Sequence, residues 1–355
     1  MARRVVIVKL GSSTLVDARG RVRRSVFDSV AAQAAELSSG GTPVVVVSSG
    51  AIALGLGALG RPARPRRLHE LQAASAVGQA ILQRTWAQAL RRHGSDAAQV
   101  LLTGGDLHRR DGYVNARGTL EALLRWGLVP VVNENDSTAT DEITFGDNDA
   151  LAAQVAVLMR ARLLVLLTDT EGLYDRDPGL PAAQLLEHVD DHHMLEGLQV
   201  GGRGSRWGSG GMRSKVVAAE MARAGGAAVV IASGTRPRVV VDAAAGRPVG
   251  TRFRAEPSPL PAYKLWVRYG KPVRGRLILD AGAVHAVRTQ GRSLLPVGVT
   301  SVEGSFVAGD AVELAAPDGQ RFAVGVSGYA AAELRRAAGR RGAEEAVHRD
   351  NLVLL

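Results

Sequence analysis

Short apolar runs recur along the first two thirds of the chain, and segments with helical spacing separate them. Val5–Leu10, in which Lys9 is the one charged residue, Val44–Val47 and Leu163–Leu167 are such runs. Runs of this kind are typical of strands buried on both faces of a parallel sheet. Because parallel strands need crossover connections, the pattern predicts an α/β fold with a mainly parallel open sheet and helices on both faces.

The same alternation continues to about residue 255. Further strands are predicted at Val100–Leu102, Val129–Val132 and Ala228–Ile231, and helices at Ser25–Ser38, His69–His93, Tyr113–Trp126, Asn148–Met159 and Met212–Ala224.

The alternation of strand-like and helix-like segments ends at Glu256–Pro261, where three prolines in five residues favour an extended linker and oppose a helix. We therefore predict a first domain over residues 1–255, a linker over 256–272 and a second domain over 273–355. Short β-like runs after the linker predict that the second domain is a small barrel. These runs are Gly275–Leu279, Ala283–Val287, Gly309–Leu314 and Phe322–Val326.

Composition excludes several classes of site. The chain of 355 residues has no cysteine, which excludes disulfides, thiolate metal sites and cysteine nucleophiles. The first residues lack the apolar core of a signal peptide, and the apolar runs are far shorter than the ~20 residues that cross a bilayer. We expect a soluble cytoplasmic protein with no membrane partner.

Basic residues are abundant, but they are unevenly distributed. The net charge is +10, and residues 273–355 contribute only about +1 of it. Arginine has almost replaced lysine, since the chain has four lysines and forty arginines. A remaining lysine can mark a position where a compact ammonium is needed, although chance survival is the alternative for any single one.

Lys9 lies at the end of the first predicted strand, and Gly11-Ser12-Ser13 follows it. Ligands of open parallel sheets bind at the carboxyl ends of the strands, and a loop of small residues lets backbone amides approach an anion. Ser48 and Ser49 repeat this design after the second strand, before a helix whose N-terminal amides can bind an anion. A strand-to-helix turn without any ligand would show the same residues.

The most informative stretch gathers amides and carboxylates on one loop. Asn133-Glu134-Asn135-Asp136 follows a strand, and Gly146-Asp147-Asn148-Asp149 leads into a helix. Asp136 can receive an ammonium, the amides can donate to a carboxylate, and Asp149 can hold nearby lysines in position. This set suits recognition of an amino acid, and a polar turn with side-chain caps is the alternative.

Two later segments suit a nucleotide. Thr168 and Asp169 follow a strand and can face ribose or phosphates. The glycine-rich stretch Gly208–Lys215 enters a helix with a lysine near its start, an arrangement that stabilises phosphate although it is not a Walker A loop.

One motif points to a cofactor that we reject. Gly55–Gly60 matches the dinucleotide fingerprint, but it begins well after the strand, and Ser75 stands near the position of the expected acid. We therefore assign no nicotinamide or flavin site to it. The histidines show no metal-ligand spacing, and we predict no protein-bound metal.

Taken together and in order, these motifs resemble the amino acid kinase family, including its glutamate-phosphorylating members with a C-terminal PUA domain. The segments that carry the resemblance are Val8–Ser13, Ser48–Gly55, Leu101–Thr103, Asn115–Arg117, Val131–Thr140, Gly146–Asp149, Thr168–Pro178, Gly208–Lys215, Ser293–Pro296 and Gly325–Ser327. The resemblance implies a three-layer, mainly parallel sheet of the amino acid kinase type and a small β-barrel-like PUA domain.

The resemblance also implies an activity: ATP, as its Mg²⁺ complex, would phosphorylate the side-chain carboxylate of L-glutamate to glutamyl 5-phosphate, at the entry to proline biosynthesis. It further implies a homo-oligomer (dimer or tetramer) and proline as a feedback inhibitor. Carried over by motif, the catalytic residues are Lys9, Lys215 and Asp149, and the glutamate-binding residues are Ser49, Asn133, Asp136 and Asn148. The nucleotide-binding residues are Lys9, Gly11, Thr168, Asp169, Ser209, Gly210, Gly211, Met212, Arg213, Ser214 and Lys215.

Two alternatives stay open at this stage. Another member of the family could act on acetylglutamate, aspartate, a carbamate or a nucleoside monophosphate. The PUA-like tail could instead indicate an RNA-binding protein, but its near-neutral charge argues against RNA, since RNA affinity depends on cations that meet phosphates.

Overall fold

The computed structural model describes residues 5–17, 20–61, 63–108, 110–138, 147–190, 195, 211–256, 260–271, 273–340 and 344–355. The chain divides into two compact units, Met1–Ser258 and Pro259–Leu355. Within the described ranges, no helix combines the length and the apolar character that crossing a bilayer requires.

The first unit is built on one eight-stranded sheet. Its strands are β1 (Val6–Leu10), β2 (Val44–Ser48), β3 (Ala97–Leu102), β4 (Val129–Glu134), β5 (Leu163–Thr168), β6 (His188–Val189), β7 (Ala228–Ser233) and β8 (Thr251–Phe253). Their order is β3-β4-β2-β1-β5-β7-β8-β6, and every pairing is parallel except that of β7 with β8. The mainly parallel open sheet predicted from the sequence is confirmed.

Helices cover both faces of this sheet. They are α1 (Ser12–Leu15), α2 (Arg24–Ser39), α3 (Ala51–Ala58), α4 (Leu68–Arg91), α5 (Gly104–His108), α6 (Arg110–Arg125), α7 (Asp147–Leu158), α8 (Gly211–Ala224) and α9 (Val239–Ala244). The five predicted helices all form, with ends that differ by at most three residues.

The two faces of the central strand β1 differ: one packs in an apolar core, and the other carries Lys9. Val6, Val8 and Leu10 pack in a core with α2, α3, α4 and α9. Phe27 on α2 and Trp86 on α4 meet in this core, with ring centroids 4.7 Å apart. Because side chains alternate along a strand, Lys9 faces the opposite side, where α7 lies against β1. This alternation directs the one charged side chain of the strand away from the apolar core.

The glycines that mimic a dinucleotide fingerprint serve helix packing. Gly55 lies inside α3, and a Cβ at Gly55 would stand 1.8 Å from the carbonyl oxygen of Ala74 on α4. A Cβ at Gly78 on α4 would likewise stand 1.8 Å from the carbonyl oxygen of Ala51. The absence of side chains therefore lets the backbones of α3 and α4 come into direct contact.

The second unit holds a separate five-stranded sheet. Its strands are β9 (Val273–Leu279), β10 (Val299–Gly304), β11 (Ala311–Ala315), β12 (Arg321–Val326) and β13 (Leu352–Leu354), in the order β10-β9-β11-β12-β13. Its helices are α10 (Ala262–Leu265), continued by a π-helical turn over Trp266–Gly270, α11 (Ala281–Arg288) and α12 (Ala331–Ala337).

One predicted strand of this unit is wrong. Ala283–Val287, predicted as a β-like run, lies in α11. The carboxylate of Asp280 accepts a hydrogen bond from the backbone amide of Ala283 at 2.7 Å, which caps the start of the helix. The apolar pattern of so short a segment fits both a strand and a helix, and this cap favours the helix.

The described part of the predicted linker also differs from an extended chain, because residues 262–270 are helical. Proline is compatible with the start of a helix, where its missing amide hydrogen is not needed, and the carbonyl of Pro261 accepts from the amide of Leu265 at 3.1 Å. The predicted domain bounds at 255 and 273 stay predictions.

Candidate active site

A carboxylate between two lysines forms the centre of the site. Asp149 is 1% exposed; its Oδ1 lies 2.5 Å from Lys9 Nζ and its Oδ2 lies 3.2 Å from Lys215 Nζ. Lys9 comes from β1, Asp149 from the start of α7 and Lys215 from α8. We call these three residues the lysine cluster. The arrangement concentrates positive charge at the carboxyl end of β1.

Burial and charge pull on the ionisation of the cluster in opposite directions. Burial lowers the pKa of Lys9, and the charge of Lys215 adds to this effect, while Asp149 opposes it. For Asp149, burial alone would raise the pKa, but the neighbouring charges of Lys9 and Lys215 outweigh burial and hold the pKa below its ordinary value. The carboxylate therefore stays ionised and its charge stabilises the two buried ammonium groups.

The start of α8 completes the cluster. Lys215 Nζ donates to the carbonyl oxygen of Gly211 at 3.0 Å, and Ser214 Oγ donates to Asp149 Oδ2 at 2.7 Å. Met212 is buried and Arg213 is exposed. The N-terminal turn of α8, which favours anions through its free amides, thus lies against the two lysines.

Side-chain amides connect the loop after β2, the end of β4 and the start of α7. Asn148 Nδ2 donates to Ser49 Oγ at 2.9 Å and to Asn133 Oδ1 at 3.0 Å. Asn133 is 2% exposed, and its Nδ2 donates to Gln79 Oε1 on α4 at 2.8 Å. Within the described residues, the buried Oδ1 of Asn148 has no hydrogen-bond partner. A buried acceptor of this kind is ready for a ligand that donates a hydrogen bond.

Asp136 lies on the same side of the sheet, after β4. Its Oδ2 accepts a 2.5 Å hydrogen bond from Ser75 Oγ on α4. Burial raises the pKa of Asp136, while the bond from Ser75 and the charge of Arg64 oppose that shift. A buried carboxylate with a raised pKa gains from a cationic ligand.

The residues predicted for the nucleotide lie at the ends of β1 and β5. A Cβ at Gly11 would stand 3.7 Å from Lys9 Nζ, so the backbone of the loop after β1 runs beside the lysine cluster. Thr168 Oγ1 donates to Asp169 Oδ1 at 3.0 Å, and the carbonyl of Thr168 accepts from the amide of Gly234 at 2.8 Å. These bonds of Thr168 and Asp169 are made outside the lysine cluster. Ser209 and Gly210 lie outside the described residues.

Three contributors to the site, Ser75, Gln79 and Gln99, were not predicted from the sequence. Gln79 Nε2 donates to Gln99 Oε1 on β3 at 3.2 Å, which extends the chain of amides from Asn148. The available signal was weak: Ser75 and Gln79 are polar residues four apart on a helix, and such a pair is common on solvated surfaces. Across the described residues, no three His, Cys, Asp or Glu side chains converge in a way that would hold a metal ion.

Comparisons with known proteins agree with this architecture. The model of the "Amino acid kinase family" matches residues 4–233, and that of the "PUA domain" matches residues 275–349. A protein of Synechococcus sp. (strain JA-3-3Ab) named glutamate 5-kinase is 44% identical over 363 residues, which cover 99% of this chain and 98% of the relative. A protein of the same name from Ralstonia nicotianae is 45% identical over 366 residues, covering 100% and 98%.

A solved structure shares the fold at lower similarity. Carbamate kinase from Giardia lamblia bound to AMP-PNP is 19% identical with a TM-score of 0.51, and the match covers 72% of this chain and 99% of that one. At this identity the match supports the fold alone. Since the family model matches well over half of the chain and near-full-length relatives exceed 40% identity, the chain belongs to the amino acid kinase family and carries a C-terminal PUA domain.

Proposed function

We propose that the chain transfers the γ-phosphoryl group of ATP to the side-chain carboxylate of L-glutamate. The product is glutamyl 5-phosphate, and the reaction is the first step of proline biosynthesis. The lysine cluster at the carboxyl end of β1 carries the proposal, and the near-full-length relatives named glutamate 5-kinase support the choice of substrate.

The proposed chemistry needs alignment and charge neutralisation more than a base. The glutamate carboxylate is already a nucleophile: one of its oxygens forms the new bond to the γ-phosphorus, and the bond from that phosphorus to the β-phosphate oxygen breaks and releases ADP. Lys9 and Lys215 would neutralise the oxygens of the transferring group. Asp149 would hold both ammonium groups in place, as it does without ligand.

Ser49, Asn133, Asp136 and Asn148 form the proposed glutamate site. Asp136 would pair with the substrate ammonium, and the unpartnered Oδ1 of Asn148 would accept a further hydrogen bond. Asn133 and Ser49 would donate to the carboxylates, for which amides and hydroxyls are suitable partners.

We assign the nucleotide to the opposite side of the lysine cluster. Gly11, Thr168, Asp169 and the segment 209–215 would bind its phosphates and ribose, with backbone amides at the start of α8 as the principal anion site. We propose that Mg²⁺ enters with ATP as part of the substrate. Ions held mainly by phosphates need few protein carboxylates, which fits a described site whose central carboxylate is already paired with lysines.

Other acceptors remain alternatives that the assay separates. Acetylglutamate lacks the free ammonium that Asp136 would bind, and aspartate is one methylene shorter. We further propose homo-oligomer formation and inhibition by proline, and a kinase rather than an RNA-binding role for the chain.

The test is ADP formation by the purified full chain with Mg-ATP and each acceptor in turn. We expect turnover with glutamate that proline suppresses. Turnover of aspartate or acetylglutamate without turnover of glutamate would overturn the assignment.

A further inference from the structure

Helix α4 presents two polar side chains, one turn apart, to the proposed glutamate site. Ser75 is 4% exposed and donates to Asp136 at 2.5 Å, and Gln79 accepts from Asn133 at 2.8 Å. Neither side chain belongs to the set that the sequence motifs identify. Both contacts join residues more than fifty positions apart, so they are tertiary contacts of this helix.

The position of this helix face is fixed by packing. Gly78 lies between Ser75 and Gln79 in the sequence, and its backbone touches α3 so closely that a Cβ would stand 1.8 Å from the carbonyl oxygen of Ala51. Helix α3 begins directly after Ser49 and Gly50. A shift of α4 would therefore disturb Asp136, Asn133 and the loop that carries Ser49 together.

Ser75 determines how Asp136 can meet a ligand. Its hydroxyl engages Oδ2, so an ammonium group would approach the other carboxylate oxygen. A hydrogen bond from a hydroxyl also favours the ionised carboxylate, and only the ionised form pairs strongly with an ammonium.

Gln79 determines how the two asparagines are oriented. Its Nε2 donates to Gln99, so its Oε1 is the atom that accepts from Asn133 Nδ2. Asn133 Oδ1 then accepts from Asn148 Nδ2, which leaves Asn148 Oδ1 as the buried acceptor. The chain of amides therefore has one direction, and it ends in an atom suited to a donor.

We propose that Ser75 and Gln79 are positioning residues that set the affinity of this site for the ammonium group of an amino-acid substrate. The inference rests on the proposed function, because it concerns the acceptor-binding half of the same site. Among the described charged groups, Arg64 is the one that acts on Asp136 through its charge, and it remains unchanged in every variant below.

The test compares steady-state kinetics of Ser75→Ala, Gln79→Met and a control, Thr85→Ala, with those of the wild-type chain. Thr85 also lies on α4, but among the described residues its hydroxyl bonds only to the carbonyl of Ile81 in the same helix. For Ser75→Ala we expect about a tenfold rise in KM for glutamate, with kcat and KM for ATP nearly unchanged.

The pH dependence of KM for glutamate distinguishes a positioning role from a general loss of structure. Without Ser75 the pKa of Asp136 rises further, so the loss of glutamate affinity on acidification begins at a higher pH in Ser75→Ala. Gln79→Met raises KM for glutamate without moving this profile, because its partner Asn133 does not titrate. Thr85→Ala leaves KM for glutamate and its pH dependence unchanged.

Three results would overturn the inference. The first is an unchanged KM for glutamate in Ser75→Ala and Gln79→Met, and the second is an equal rise in KM for glutamate and for ATP. The third is a loss of glutamate affinity on acidification that begins at the same pH in Ser75→Ala as in the wild-type chain. A wild-type chain that turns over another acceptor but not glutamate would instead refute the proposed function, so the two failures are distinguishable.

Discussion

Replacement of Asp149 by asparagine tests whether one carboxylate holds the lysine cluster together. The substitution keeps the size of the side chain and removes its charge. Lys9 is 3% exposed and Lys215 is 7% exposed, so both ammonium groups would stay buried without the one counter-ion that the described residues provide. In Asp149→Asn a neutral amide would therefore stand between two uncompensated cations, which repel each other.

The size of the effect follows from burial. Removal of one partner from a buried ion pair costs about 3–5 kcal/mol, because the remaining charge keeps its desolvation penalty. In a unit of this size, about 1 kcal/mol corresponds to roughly 2–4 °C in Tm. We expect the Tm of Asp149→Asn to fall by about 6–20 °C and kcat to fall by at least about 10²-fold.

The matched control is Asp96→Asn. Arg91 Nε lies 2.7 Å from Asp96 Oδ1, but the two side chains are 70% and 56% exposed. Exposed pairs of this kind contribute at most about 1 kcal/mol. Thermal unfolding followed by circular dichroism, at matched protein and salt concentrations, gives both shifts in one experiment.

The pH dependence gives an independent check. Because the pKa of Asp149 is lowered in the folded chain, its contribution to stability is present above the ordinary pKa of aspartate and is lost as the pH falls through the lower value. The Tm difference between wild type and Asp149→Asn should therefore narrow on acidification. Equal Tm shifts for Asp149→Asn and Asp96→Asn at neutral pH would refute the reasoning.

Three further experiments test other parts of the structure. Lys215→Arg should lower kcat for glutamate-dependent ADP formation by at least about 10²-fold despite the retained charge, because a planar guanidinium cannot replace a compact ammonium beside a phosphoryl group; near-normal turnover would refute that role. Gly78→Ala should lower the free energy of unfolding in urea by about 1–3 kcal/mol. Gly118→Ala should raise it by about 0.5–1 kcal/mol, because no described group beyond the neighbouring backbone of its own helix lies within 4 Å of the new Cβ; shifts of the same sign would contradict the packing argument. A fragment of residues 259–355 should unfold cooperatively on heating and one of residues 273–355 should not, because Val267 is buried against strands of the second unit; equal circular dichroism melts would show that residues 259–272 are dispensable.

The centre of the site could be predicted because parallel strands end at one edge of a sheet. Lys9, Asn133 and Thr168 each stand at the end of an apolar run, and the topology brings those ends together. At that edge the residue types predict an ion pair, since Asp149 is a carboxylate that can neutralise nearby lysines. The contacts of Asp149 with Lys9 and Lys215 agree with that expectation.

The outer contacts could not be predicted for a geometric reason. Ser75 and Gln79 lie within a 24-residue helix, and periodicity states which residues share a face but not what that face touches. Their partners, Asp136 and Asn133, follow a strand more than fifty residues later. The same limit applies to Ala283–Val287, because the apolar pattern of these five residues fits both a strand and a helix. The cap by Asp280 favours the helix.

The four lysines show why rarity alone does not distinguish the two lysines that we propose as catalytic. Lys9 and Lys215 are buried and share one carboxylate, a setting that suits a compact ammonium better than a planar guanidinium fork. Lys264 donates to the carbonyl of Arg349 at 3.3 Å from a half-buried position, and Lys271 Nζ lies 4.7 Å from the ring centroid of Trp266. Arginine can make both of those contacts, since it donates hydrogen bonds and stacks on aromatic rings. What distinguishes the first pair is therefore burial around a shared negative charge, a property of the fold that the count of lysines in the sequence does not contain.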